Sequence, residues 1–482
     1  MTSNDLFCIN DYDCIGFDMD HTMVQYKLPD TFRLQYQCVV DFLVNEKSYC
    51  PKTFNMENYE KFEDFSQRGI IFDIVKGNFV KLDKNGVVVS CTHGMRECDA
   101  EETMSYYGED RVWPLFQTLK EKVYNAEGYW IIENFFLMPV CSIMGQMVEE
   151  ADKRNDGKHL STYKPLYVQM IEALALSFDN KSFRKDIGGF FPAFKRNQEK
   201  YIKKIPQSVV DWIRSLRKAG KVVALITDSY TDFASHLMEY ALGPDWTNDF
   251  DFIVTHANKP NFFTPSYKDR CFVNNDANGD ESTEVKDTLK PHTIYSLGNA
   301  WKFEETLKAY TGRDEVKVVY FGDSMKSDVF PPKHLKGWDT VAVLEELEAE
   351  EVHFHKNNQS VYHQAKRPKI KPLLKEEKLL IASSQWGSFF THPQSSHQDG
   401  TTSNGKQNGS TSNDEVHEIN TFWGDIIRRY SDLAIPLLDY LAETSVTEKF
   451  PKFTDSQFGF FPSAPRSILK DHCMDEKNGK NE

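Results

Sequence analysis

Cys14-Ile15-Gly16-Phe17-Asp18-Met19-Asp20-His21-Thr22-Met23 is the stretch whose reading decides the fold. An apolar run short enough for a buried strand breaks into two aspartates separated by one residue. Alternation places Asp18 and Asp20 on the same side of an extended chain, unless the backbone turns there. Two carboxylates so close repel each other, so the pair needs a cation between them or one acid held protonated. One acid can then act as a nucleophile and the other as a proton donor or acceptor. A lone Asp-x-Asp reads more readily as an Asp-rich turn, and the rest of the chain has to decide.

Working outward, 24–29 reads as a second extended piece, and 31–44 as a helix with Leu34, Val39, Phe42 and Leu43 apolar. From Arg68 to Val89, two β-rich runs flank Asp83-Lys84-Asn85-Gly86, where Asn-Gly supplies the positive φ angles of a hairpin turn. The stretch 111–194 is aromatic-rich and mostly helical in pattern, without strand–helix alternation. It is therefore assigned to a separate module that interrupts the first domain.

Alternation resumes at Pro206. A helix with Val209, Val210, Ile213 and Leu216 apolar ends at Gly220, and a buried-type strand over 221–226 runs into Thr227-Asp228-Ser229. Asp228 or Ser229 is expected to cap the following helix. A strand over 250–254 leads to His256-Ala257-Asn258-Lys259-Pro260. Another over 316–321 leads to Gly322-Asp323-Ser324-Met325-Lys326-Ser327-Asp328, and 340–344 is a fourth.

Strands separated by helices predict an α/β fold with a Rossmann-like, doubly wound parallel sheet. Ligands of such sheets sit beyond the carboxyl ends of the strands, so Asp18, Asp20, Thr227, Lys259, Asp323 and Asp328 should meet at one site. The expected organisation is a core over 1–45 and 205–384, interrupted by an inserted module over 46–204 that carries a hairpin at 69–90. A low-complexity insert follows over 385–416, and a C-terminal helical segment and tail over 417–482.

The insert is rich in Ser, Thr, Asn, Gln and Gly and is expected to be disordered. Beyond it, 421–441 reads as a helix with Trp423, Ile426, Ile427, Tyr430 and Leu433 on its apolar face, interrupted by Pro436. The run 345–351 reads as a solvated helix face, and His353 and His355 as surface residues.

The chain has 482 residues, enough for two or three domains, and a net charge of −15 from 72 acidic and 57 basic residues. That balance argues against nucleic acid as a partner. Nine scattered cysteines without C-x-x-C pairing fit a reducing compartment. The N-terminal residues lack a signal-peptide pattern, and the apolar stretch around 135–144 is too short to span a bilayer. The expected location is cytoplasmic, with no membrane partner; a homo-oligomer stays open.

Three or four acids converging on one point suit a divalent cation. Oxygen donors indicate magnesium rather than zinc, and none of the fourteen histidines shows ligand-like spacing. Thr227 supplies a hydroxyl next to a helix start, a place to hold phosphate oxygens. Lys259 adds a fixed positive charge. Taken singly, Thr227 or Ser229 reads as a cap, Lys259 as a solvated loop residue and Asp323 as a turn former. Their recurrence at successive strand ends is what carries weight.

These motifs resemble the four motifs of the haloacid dehalogenase-like superfamily: Asp18-x-Asp20-x-Thr22, Thr227 after a strand, Lys259 before a proline, and Gly322-Asp323-x4-Asp328. FDMDHTMVQY, RGIIFDIVKGNFVKLDKNG and ANKPNFF resemble the cytosolic purine 5′-nucleotidase family in its 5′-nucleotidase domain-containing branch, over about residues 10 to 350. The resemblance implies a Mg2+-dependent phosphomonoesterase acting on a small-molecule nucleoside 5′-monophosphate. It implies Asp18 as nucleophile and Asp20 as acid and then base, with Thr227, Asp228, Ser229 and Lys259 at the phosphate. Magnesium would be held by Asp18, Asp323 and the carbonyl of Asp20, with Asp328 in support.

Asp228-Ser229 stands where the family has Asn-Ser, which adds a negative charge. Arg184, Lys195 and Arg196 lie in the region of the family's nucleotide-gripping residues. The rival expectation is a weakly active or inactive member that serves as an interaction or regulatory protein.

Overall fold

The computed structural model describes residues 6–123, 125–178, 180–276, 279–350, 373–393 and 418–453. Its centre is a nine-stranded sheet. The strands are β1 (Cys14–Phe17), β2 (Val222–Ile226), β3 (Phe252–Thr255), β4 (Phe272–Asn275), β5 (Glu281–Glu284), β6 (Ile294–Leu297), β7 (Val318–Gly322), β8 (Asp339–Val343) and β9 (Leu433–Ile435). They lie in the order β5-β4-β6-β3-β2-β1-β7-β8-β9. Neighbours from β6 to β9 run parallel, and β4 and β5 extend one edge antiparallel.

The central strands are fully buried, as their unbroken apolar runs require for a sheet covered on both faces. Alternation divides them cleanly. Ile15, Phe17, Val319 and Phe321 join one core, while Cys14, Val318 and Tyr320 join the other. On the first face the helix Gln207–Lys218 lays Trp212 against Phe17 and Phe321, with ring centroids 5.8 and 6.2 Å apart. On the second, Phe263 and Trp338 close over Tyr320.

Gly16 pairs with Tyr320 across the β1–β7 ladder, and a Cβ there would come 2.8 Å from the Tyr320 ring. Its absence lets that ring lie flat on β1, with the hydroxyl directed to the strand ends.

Between β1 and β2 the chain leaves the sheet. The long helix Leu28–Lys47 begins at its Leu-Pro and takes in part of what reads as extended chain. The hairpin forms from Asn78–Leu82 and Val88–His93, within a five-stranded antiparallel sheet. The fifth strand, Tyr129–Ile131, lies inside the stretch that patterns as helical: three residues, all buried, are too few to show a period. Helices Val140–Arg154 and Lys164–Phe178 follow.

Three further expectations are corrected. The insert does not begin at 385. Trp386, Phe389 and Phe390 are buried, Thr391–Pro393 pairs with Glu418–Asn420, and the remainder of the low-complexity run lies outside the described residues. The few aromatics at its start outweigh the polar composition around them.

Leu433 is not on a helix either. The helix Phe422–Tyr430 stops before Asp432, whose carboxylate receives the Thr340 N–H and the Lys333 ammonium, and the chain then enters β9. Lastly, Glu345, Glu346, Glu348 and Glu350 are buried rather than solvated. His353 and His355 lie outside the described residues. No helix among the described residues is long and apolar enough to cross a membrane.

The packed start of the insert gives a first test. Phe390→Ala should cost about 3–5 kcal/mol in chemical denaturation, the loss typical of a buried aromatic. A change within 0.5 kcal/mol, roughly what an exposed position gives, would return this segment to the surface.

Candidate active site

The carboxyl ends of β1, β2, β3 and β7 lie side by side, and the polar residues just beyond them converge. Asp18 extends the β1–β7 ladder, its N–H donating to the Phe321 carbonyl at 2.8 Å. The backbone then turns. The Met23 and Val24 N–H groups both donate to the Met19 carbonyl, and His21 takes a φ of 55°. This turn separates the two acids that alternation would have left side by side.

Asp18 faces the strand ends, where Lys259 Nζ donates to its Oδ1 at 2.8 Å. Asp20 is turned to Tyr26, whose hydroxyl donates to Oδ1, and to Ser229, whose hydroxyl donates to Oδ2 at 2.8 Å.

Lys259 arrives from the loop after β3. Its buried ammonium also donates to Asp328 at 2.6 Å and to the Tyr320 hydroxyl at 3.0 Å. Burial works against that charge, but Asp18 and Asp328 outweigh it and hold the ammonium well above its ordinary pKa. It stays charged.

Asp328 folds back beside Gly322, where a Cβ would come 2.2 Å from its own, and also accepts the Ser324 N–H. Thr227 is fully buried, and its Oγ1 accepts the Ser229 N–H at 3.1 Å, which leaves the hydroxyl hydrogen to donate elsewhere. Neither Asp228 nor Ser229 caps a helix, because the helix Thr231–Leu242 starts beyond them with Tyr230 at its N-cap. Asp228 instead accepts the Lys259 backbone N–H at 2.6 Å. The Asp228 carboxylate thus fixes the lysine loop.

Asp18, Asp323 and Asp328, all buried, offer carboxylate oxygens within 4.8 Å of one another. Sequence reasoning missed the cation that faces them from the other side. Arg68, only 1% exposed, donates to Asp323 Oδ2 at 2.9 Å and to the Asp323 carbonyl at 3.0 Å. Its other nitrogens grip Glu346 in a two-pronged pair at 2.5 and 2.7 Å. Phe135 and Phe389 flank the guanidinium. Arg68 stands in the motif RGIIFD, but nothing local announces a partner 255 residues away. Arg184, by contrast, is spent on Asp232 and Asp280, and Lys195 on the Phe183 carbonyl.

Charge counting characterises the pocket. Three carboxylates face Lys259 and Arg68, and Arg68 is shared with Glu346, so buried negative charge remains in excess. Burial, with the Asp18 charge adding to it, pushes Asp328 up to about 7 against the pull of Lys259. Burial likewise holds Asp323 well above the usual carboxylate range, although Arg68 pulls it down. An all-oxygen donor set with unmet negative charge fits a hard divalent cation. Asp20 is also raised, by burial and by the Asp18 charge, against the hydrogen bonds from Tyr26 and Ser229.

The model of the 5′ nucleotidase family matches residues 3–435. The chain is 33% identical over 473 residues to 5′-nucleotidase domain-containing protein 1 of Homo sapiens, covering 96% of this chain and 98% of that one. The Bos taurus protein of the same name is 33% identical over 462 residues, covering 94% and 95%. 5′-Nucleotidase domain-containing protein 2 of Homo sapiens is 27% identical over 363 residues, covering 72% of this chain and 63% of that one.

The raised carboxylates set a pH dependence. A group whose folded pKa exceeds its unfolded value stabilises the protein at low pH, and that contribution is lost as pH rises through the folded value. For Asp328 the window runs from about 3.8 to about 7. Metal-free protein should therefore lose stability across this window, and Asp328→Asn should flatten that loss. Parallel denaturation curves at pH 5 and pH 8 check this; an equal pH dependence in both proteins would contradict it.

Proposed function

This chain belongs to the 5′ nucleotidase family, and on that premise we propose that it is a magnesium-dependent phosphomonoesterase. Its substrates are nucleoside 5′-monophosphates, and it works through a phosphoaspartyl intermediate. The observation that carries this reading is the Lys259 ammonium on Asp18, with Asp20 held apart by Tyr26 and Ser229. A nucleophile beside a fixed cation and a second acid with a raised pKa are the two parts the chemistry requires.

Asp18 attacks phosphorus, forming a new P–O bond while the bond to the nucleoside 5′ oxygen breaks. Asp20, kept protonated to higher pH than a free carboxyl, gives its proton to that departing oxygen. Lys259 and the Thr227 hydroxyl hold the phosphoryl oxygens, with Ser229 and Asp228 fixing the loop geometry around them. In the second half, Asp20 takes a proton from water, whose oxygen attacks phosphorus. The bond to Asp18 breaks and phosphate leaves. When bound, magnesium would be held by Asp18, Asp323 and the Asp20 carbonyl, with Asp328 in support, and would supply the charge that lets an anionic nucleophile meet an anionic substrate.

Phosphate release from a panel of nucleoside monophosphates with magnesium tests this. Asp18→Asn should fall to background on every substrate. Asp20→Asn should lose about 10²–10⁴-fold on nucleotides, the usual worth of a general acid. With an aryl phosphate, whose leaving group departs without a proton, Asp20→Asn should give a burst followed by near arrest. Substantial turnover by Asp18→Asn would overturn the mechanism. A wild-type protein inactive on the whole panel would favour a binding role instead.

A further inference from the structure

A second cluster of potential ligands lies outside this site, in the region between β1 and β2. His93 ends the strand Val88–His93, Asp152 sits in the last turn of the helix Val140–Arg154, and His159 follows in the next loop. Their ligand atoms all lie within 4.8 Å of one another. The histidines are too far apart in sequence for spacing to reveal them. We infer that His93, Asp152 and His159 form a zinc site.

The surrounding hydrogen bonds fix where each hydrogen lies. Asp73 accepts the Val75 and Lys76 N–H groups on one oxygen and the Tyr107 hydroxyl on the other, at 3.3 Å. Having spent its hydrogen there, the Tyr107 oxygen accepts from Asn78 Nδ2 at 3.1 Å. Asn78 Oδ1 is then the atom facing His93 Nδ1 at 2.7 Å, so Nδ1 carries the hydrogen.

In the neutral ring His93 Nε2 then keeps a lone pair, aimed at Asp152 Oδ2 from 2.8 Å. Asp152 Oδ1 is already engaged by the Tyr163 hydroxyl at 2.6 Å, and the Tyr163 oxygen accepts the Leu160 N–H. Two acceptors at that distance need a cation between them. A proton would satisfy the pair, but a second imidazole stands beside it, its Nδ1 meeting the Tyr106 hydroxyl at 3.1 Å and its Nε2 left for the same carboxylate. The His159 ring stacks on His93 with centroids 4.0 Å apart, and its Nε2 lies 3.9 Å from the same Asp152 oxygen.

Two imidazole nitrogens and one carboxylate oxygen make a three-ligand zinc set, with a fourth position for water. Nitrogen donors disfavour magnesium. The Asn78 contact to His93 Nδ1 is the outer support that orients a metal-binding imidazole. His159, with 47% of its side chain exposed, has the freedom to close onto the ion. Zinc would tie a strand end, a helix end and the loop after it at one point.

The full-length protein, stripped with a chelator, is titrated with zinc alone and then with cobalt(II), whose visible bands are intense in a four-coordinate nitrogen-containing site and weak in an all-oxygen one. We expect one tightly bound equivalent at this site beside weaker binding at the carboxylate cluster, intense cobalt bands, and a zinc-dependent rise in thermal midpoint. His159→Ala should lower zinc affinity at least about 10-fold and abolish both the bands and the rise, with its metal-free midpoint unchanged. His93→Gln serves as the second variant. Absent bands, or zinc affinity equal in wild type and both variants, would overturn the site and leave a shared proton between His93 and Asp152.

Discussion

The rest of the site depends on the Lys259 ammonium buried between Asp18 and Asp328. A lysine stripped of water is costly unless opposite charges hold it, and carboxylates crowded together are costly unless a cation sits among them. Each solves the other's problem, but only if several strands deliver their ends to one place. That requirement explains features that look unrelated. Gly16 makes room for Tyr320 to reach the ammonium, and Gly322 makes room for Asp328 to fold back. Asp228 pins the Lys259 backbone.

Arg68 extends the same logic beyond the sheet. It joins Asp323 at a strand end to Glu346 just after β8, and it reaches both from the region between β1 and β2. Removing one partner of such a buried set leaves an uncompensated charge, at a cost of about 3–5 kcal/mol. The site is therefore assembled from the sheet and from the intervening region together. The buried glutamates at 345–350 follow from this. Glu346 serves Arg68, and Glu350 accepts the Ser388 hydroxyl and the Phe389 N–H.

The parts legible in sequence were those with a local signature. An apolar run broken by aspartates marked β1, and the same pattern after β2, β3 and β7 put the polar residues at strand ends. A parallel sheet then gathered them without further information. What stayed hidden were pairings with large sequence separation. Arg68 looks like any arginine beside a glycine, and a run of glutamates looks solvated until partners are known. His93 and His159 need the tertiary fold to meet. Short buried pieces such as Tyr129–Ile131 and β9 are too brief for periodicity to identify. Trp386, Phe389 and Phe390 were masked by the polar composition downstream of them.

Identifying the atom to which the phosphoryl group is transferred tests the central claim most directly. Wild-type protein mixed with magnesium and a nucleoside monophosphate is quenched during turnover and reduced with borohydride, which converts an acyl phosphate on aspartate to homoserine. Peptide mapping should then find homoserine at position 18 and nowhere else, and only when substrate was present. Modification at Asp20, Asp323 or another residue during sustained phosphate release, or no modified residue at all, would contradict the account of Asp18 as the nucleophile held by Lys259.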